Sequence, residues 1–418
     1  GFVWGLALAA KTTSLLFGVI HLTAIWITIF EKKMPKRQFV QSLLLPRIGQ
    51  TLKLILVTAL IFFLFSPYTL LDLRDFRESM SYESGVALGR FTVPYTLQFL
   101  NTAPYLYQIQ TMLWQAGPAA IVGIAGLVCM VTMLFYYTMR GGVPFRSTIM
   151  ALAKKTLWRN EDLDLDGART TAYRLAHARL ILFLIFPLLY FGWVGTWFAK
   201  FSRYNVPFLP FVTIATAWVC ITLLKRSRVA GLAFTTLLLS YTALWGVMNW
   251  TLYLRPQTRV EASAWIYDHI PAGSRIYTEH WNDGLPVSLA DGLAHPGYQR
   301  DLLHVYDEPD DEKKLENLTA KLAAGDYVIL STPRIWRIMP GLKKRYPIAS
   351  RLYGALLTGK LGYADVVRFS SYPALFGMMI PDDRAEETIQ VFDHPTVMIF
   401  QNMKHLSARE IKERVIGP

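Results

Sequence analysis

Apolar residues gather in long runs over the first 250 positions and in short ones afterwards. A membrane helix needs about 20 mostly apolar residues. The stretches 12–30, 54–71, 117–138, 180–199, 205–224 and 229–250 meet that demand. Residues 1–30 as a whole are too long for one simple span. Counting back from the polar cluster Glu31–Lys33 places Lys11 near the outer membrane boundary, with residues 2–10 the end of an earlier helix. The expectation is that the chain is the C-terminal part of a larger membrane protein. Beyond residue 250 the periods shorten. Val260–Ile270 has helical spacing with Trp265 and Ile266 on one side, and Leu315–Ala324 is helical. Arg275–Thr278, Tyr327–Ser331, Val366–Ser370 and Thr396–Gln401 read as strands. Helices alternating with strands predict a small α/β domain over 255–418, its core including Trp265, Ile266, Val328, Ile329 and Leu330.

Charge orders the membrane part. The chain carries a formal net charge of +13. Residues 1–250 hold 23 basic and 9 acidic side chains, whereas 251–418 hold 20 and 21. The basic excess therefore belongs to the apolar part, which argues for a positive-inside bias and against nucleic-acid binding. Segments 31–53, 139–179 and 225–228 are basic and alternate with 72–116 and 200–204. The basic set is thus expected on the cytoplasmic face, and 251–418 outside the cell membrane. Domains of 1–254 (about six spans) and 255–418 follow. The outer loop 72–116 is rich in aromatics and prolines, which predicts short interfacial helices rather than a flexible linker. Charged residues are 17% of the chain, too few for an ordinary soluble domain at about 25%. The two cysteines, Cys129 and Cys220, lie in apolar runs and build no disulfide framework.

Several constellations can carry chemistry. Lys11 follows Gly5-Leu-Ala-Leu-Ala-Ala and precedes Thr12, Thr13 and Ser14. Such a costly cation either serves a lipid-linked phosphate or snorkels to the interface. Lys200 and Arg203 are basic on the outer side, where arginine offers phosphate a planar fork or anchors to headgroups. Tyr204 sits beside Arg203, and Pro207 and Pro210 disturb the next span. Asp72, Asp75, Glu78 and Glu83 on the outer loop are interleaved with arginines, as a base or as surface ion pairs. Tyr95 and Gln98 line a groove or belong to an aromatic belt. Glu279-His280-Trp281-Asn282-Asp283 follows a strand directly, its carboxylate, imidazole and indole forming a sugar-binding loop or simply a polar one. The carboxylates of Asp307–Glu312 lack calcium-loop spacing, and Asn317-Leu-Thr319 matches a glycosylation acceptor. No Walker loop, GxGxxG or zinc-ligand spacing appears, so no metal and no cofactor is expected.

In order and sidedness these segments resemble the multi-spanning glycosyltransferases of the GT-C class, in particular bacterial relatives of protein O-mannosyltransferases (glycosyltransferase family 39-like). The residues carrying the resemblance are Gly5–Lys11, Pro94-Tyr95-Thr-Leu-Gln98 and Arg203-Tyr204-x-x-Pro207. In the soluble part they are Trp265-Ile-x-x-x-Ile270-Pro-x-Gly, Glu279-x-Trp281-x-Asp283 and Asp393-His394-Pro395. The resemblance implies a GT-C-like membrane domain followed by an extracytoplasmic α/β domain. It implies transfer of mannose or a related hexose from a polyprenyl-phosphate donor to a protein or lipid hydroxyl on the outer face. Lys11, Arg203 and Tyr204 would handle the donor phosphate. Tyr95, Gln98, Glu279, Trp281 and Asp283 would line the acceptor groove, and the acidic base would lie upstream of Gly1. The competing reading is a transporter or non-catalytic receptor with an extracellular α/β domain. Transporters place ionisable residues near the midplane, often in inverted repeats. Here the unusual charges sit at the outer edge and no repeat is seen.

Overall fold

A computed structural model describes residues 1–26, 40–139, 165–290 and 295–417, with the side chains of 137–139 and 165–178 left undescribed. The chain forms two compact units, Gly1–Gly89 with Ala103–Leu238, and Arg90–Thr102 with Leu239–Pro418. The division falls inside the helix Arg228–Trp250.

The first unit is helical. Among its described residues are helices Phe2–Ala10, Phe17–Trp26, Leu45–Phe65, Leu73–Ala87, Leu106–Ala116, Pro118–Met139, Leu165–Val194 and Leu209–Arg226. Val40–Phe65, Pro118–Tyr136, Leu209–Arg226 and the run beginning at Arg228 are long and apolar enough to cross a membrane. Only 6% of the apolar window in Val40–Phe65 is buried by protein, and Leu52, Leu56, Leu60 and Leu64 are exposed. A helix that apolar and that bare suits lipid rather than water, which supports membrane association. Helices Pro118–Met139 and Leu209–Arg226 approach closely through small residues. A Cβ on Gly123 would lie 2.3 Å from the Val212 carbonyl oxygen. Met112, Ala120, Leu127, Leu184, Phe186, Tyr190 and Val212 fill the core between helices.

Several predicted boundaries move. The 54–71 span is a helix from Leu45 to Phe65, because Arg47 and Lys53 lower local hydropathy without breaking a helix. Ser66-Pro67 then separates it from a short turn, Tyr68–Leu71. The 180–199 span ends at Val194, and its helix reaches back to Leu165. The 205–224 span begins only at Leu209, with Pro210 in its first turn, where a missing N–H costs nothing. The 12–30 span opens as a 3₁₀ turn at Thr12–Leu16, and its part beyond Trp26 lies outside the described residues. So do residues 31–39 and 140–164 of the basic segments 31–53 and 139–179, whereas 40–53 and 165–179 are helical rather than loop. Segment 72–116 holds the short helices Leu73–Ala87 and Leu106–Ala116, as its composition predicts.

The second unit is a three-layer α/β fold. Strands β1 (Arg275–Glu279), β2 (Gln299–Leu303), β3 (Tyr327–Leu330), β4 (Tyr363–Phe369) and β7 (Val397–Asn402) form one sheet in the order β2-β1-β3-β7-β4. A separate hairpin pairs β5 (Ala374–Leu375) with β6 (Met378–Met379). β2, β1 and β3 are parallel, and β7 runs antiparallel to both β3 and β4. Alternation along the strands sends Ile276, Ile329 and Ile399 to one face, where helix Thr258–His269 covers them with Ala262 and Ile266. Tyr277, Val328, Leu330 and Phe400 face the other way, against helices Glu312–Ala324, Pro347–Leu357 and Ala408–Ile416. Of the expected core, Ile266, Val328, Ile329 and Leu330 are fully buried, and Trp265 packs at its margin. Segment 90–102 belongs here rather than to a loop of the membrane part, because Leu97 and Phe99 are buried and Leu97 joins the larger core.

Candidate functional site

Lys11 interrupts the helix before it. Its backbone is extended (φ −157°, ψ 119°) between helix Phe2–Ala10 and the turn Thr12–Leu16. Trp4 then meets residues well beyond the break. Its indole Nε1 donates to the Ser14 carbonyl at 2.9 Å, and its ring stacks on His21 at 5.6 Å. A continuous helix rises 1.5 Å per residue and would hold Trp4 and His21 about 25 Å apart. The two segments therefore double back as a hairpin with Lys11 at its tip. Gly18 permits this approach, since a Cβ there would lie 2.2 Å from the Trp4 ring. Lys11 and Thr12 also line a groove of about 700 Å³ with Ser66, Asp72, Asp75 and Ser79. Asp72 caps helix Leu73–Ala87 by accepting from the Asp75 N–H at 3.3 Å. Glu78 is tied to Arg74 at the surface.

Arg203 and Tyr204 lie on a 3₁₀ turn, Ser202–Tyr204, that is pinned from several sides. The Tyr190 hydroxyl donates to the Tyr204 carbonyl at 2.7 Å. Gln115 donates to the Ser202 carbonyl at 3.1 Å, and buried Asn205 donates to Gln108 and Gln115. The Arg203 guanidinium lies 4.3 Å from the Phe201 ring centre and 5.6 Å from that of Tyr204. The Lys11 ammonium lies 5.9 Å from the same Tyr204 ring. Positions far apart in sequence thus bring two cations to one aromatic ring, close enough for their charges to repel. Among the described residues neither makes an ion pair. Lys200 is different: it is buried, and its ammonium donates to the Phe198 carbonyl at 3.0 Å.

In the second unit the residues expected to line an acceptor groove separate. Glu279, at the end of β1, is wholly buried. The Tyr353 hydroxyl donates to its Oε1, and Asn282 Nδ2 donates to its Oε2 at 2.7 Å. Burial pushes its carboxyl up to about 8, against the lowering pull of Tyr353, Asn282 and Arg334. Trp281 is half-exposed in the left-handed region (φ 75°). Asp283 is exposed and pairs with Arg259 at 3.0 Å. Glu279 is thus taken up by the interior, whereas Trp281 and Asp283 remain at the surface. Tyr95 is half-buried. Gln98 instead joins a polar cluster, donating to Glu386 at 3.1 Å and accepting from the Glu387 N–H at 3.1 Å.

That cluster contains residues the sequence reading missed. Arg334 donates from Nε to buried Glu387 at 2.6 Å and from Nη1 to the Trp281 carbonyl at 3.1 Å. Thr332 donates to Asn282 Oδ1 at 3.0 Å. Burial raises the Glu387 carboxyl, while Arg334 draws it down. Glu279, Thr332 and Arg334 all lie at or just past the carboxyl ends of parallel strands, where α/β sheets concentrate ligand chemistry. The signal was present in Thr332-Pro333-Arg334, which directly follows a strand that the sequence does reveal. Glu386, Glu387 and Tyr353 carried no local signal.

No protein-family model, curated protein or solved structure matches the chain.

Proposed function

We propose that the chain forms part of an integral-membrane glycosyltransferase of GT-C type, working on a polyprenyl-phosphate sugar. The observation that carries the reading is the convergence of Lys11 and Arg203 on Tyr204, with neither cation in an ion pair among the described residues. Two like charges held together are stabilised by an anion between them. A phosphate that gains charge as its bond to the sugar breaks is such an anion. Lys11 supplies a point charge, Arg203 a planar fork, and Thr12 a nearby hydroxyl. The groove beside Lys11 adds Asp72 and Asp75, carboxylates of the kind that deprotonates an acceptor hydroxyl. A hexose, mannose or a relative, would pass to a protein or lipid hydroxyl. In this reading the membrane domain is multi-pass and the α/β unit extracytoplasmic. A transporter reading lacks comparable support, since the two cations belong to interhelical turns rather than to helix interiors.

The test is radiolabel transfer from defined polyprenyl-phosphate sugars in membranes containing the full-length protein. Losing a charge-assisted contact formed mainly in the transition state costs about 2–4 kcal/mol, or roughly 30- to 1,000-fold in rate. Lys11→Ala and Arg203→Ala are each expected to lose transfer to that extent at unchanged expression. Near-normal turnover in both variants leaves the two cations as interfacial anchors and removes the reading.

A further inference from the structure

The geometry points to a divalent transition-metal site, zinc by preference, formed by His280, His304 and Asp307. It is independent of the transferase reading. The strand register creates it. Parallel β1 and β2 pair residue for residue up to Glu279 opposite Leu303. The His280 N–H then donates to the Leu303 carbonyl at 3.1 Å, carrying the ladder one step further. His280 and His304 therefore leave neighbouring strands at the same level, with ring centres 4.4 Å apart. Asp307 turns back towards them, its Oδ2 lying 3.1 Å from His304 Nδ1.

One ligand atom from each of the three residues lies within 4.8 Å of the other two. A tetrahedral zinc with bonds of about 2.0–2.1 Å holds its ligand atoms about 3.3 Å apart, so small side-chain rotations complete the set. Two features prepare it. The Lys314 ammonium donates to the carbonyls of Val305 at 2.6 Å and Asp307 at 2.9 Å, which fixes the turn that presents Asp307. His280 Nδ1 is buried with no hydrogen-bond partner among the described residues, so that one ring nitrogen has no competing protein contact. Two imidazoles and one carboxylate are the donor set of zinc sites that keep a position open for water or a ligand. Asp307 is exposed, which gives the site access to solvent. No sequence motif announces it, because the histidines come from separate strands and only the register joins them.

The test uses the full chain in detergent, stripped of metal by a chelator and titrated with Zn²⁺ alone. A parallel titration with Co²⁺ reports coordination through its visible absorption. Saturation at about one equivalent is expected, with slowed amide exchange in β1 and β2. His280→Ala, His304→Ala and Asp307→Asn should each weaken binding by more than about 100-fold, the upper end for losing an outer-shell partner. His405→Ala should leave binding unchanged. Asp307 is at the surface, so Asp307→Asn decides the matter even where a histidine variant folds poorly. Absence of saturable zinc binding in the folded wild-type chain overturns the inference, as does unchanged affinity in the three ligand variants.

Discussion

Replacing Glu279 by glutamine should remove the pH dependence that this carboxyl gives the α/β unit. The carboxyl sits at about 8 in the folded chain against an ordinary value of 4.5, because burial disfavours its charge. Below the ordinary value both folded and unfolded chains hold the proton, and nothing is lost. Between about 4.5 and 8 the folded state binds more protons than the unfolded one, so stability falls as pH rises. The slope is about 1.4 kcal/mol per pH unit, and the full loss across the window is about 5 kcal/mol. At pH 7 roughly 3 kcal/mol of it is already gone. Glutamine has no proton to lose. It keeps an acceptor for the Tyr353 hydroxyl, while its amide requires Asn282 to turn over. The assay is amide exchange in β1 and β3, converted to opening free energies at pH 5, 6, 7 and 8. The wild type should lose protection across the series and Glu279→Gln should hold nearly constant, so that the two curves diverge. Parallel curves, or a wild type that gains stability towards pH 8, would refute the claim that Glu279 is neutral in the fold.

Two further outcomes follow from packing. Arg334→Ala strands Glu387 as a buried charge and should cost the α/β unit about 3–5 kcal/mol, with part recovered in Arg334→Ala/Glu387→Gln, read by the same exchange experiment. Gly18→Ala forces a methyl into the Trp4 ring and should cost about 1–3 kcal/mol, seen as a lower melting temperature in detergent. Trp4→Leu should relieve that penalty.

Legibility in the sequence tracked how completely a segment's chemistry decides its place. Tyr327–Leu330 is buried on both faces, and its uninterrupted apolar run announced β3. β2 reads Gln-Arg-Asp-Leu-Leu and sits at the sheet edge with its first three residues exposed, so no alternation betrayed it. Charges such as Lys53 ended a hydropathy window without ending a helix, which explains the late start given to that span. Lys11 and Arg203 were legible as costly cations, and the hairpin at Lys11 accounts for their meeting at Tyr204. The loop Glu279–Asp283 was legible as polar but not as divided. Whether its side chains converge depends on a left-handed backbone at Trp281 and on Arg334, more than fifty positions away.

Segment 90–102 also imposes an order in time. It is synthesised well before Leu239–Pro418, the remainder of its own unit. At about 5–20 residues per second, roughly 7 to 27 seconds of translation separate Thr102 from Leu239. Throughout that interval Leu97 and Phe99 have no core to enter, and Gln98 has no glutamates to bind. The α/β unit therefore cannot close by collapse of its C-terminal stretch alone. It must recruit a piece of chain made long before, so those thirteen residues, 90–102, have to stay available until the rest of their unit has been made.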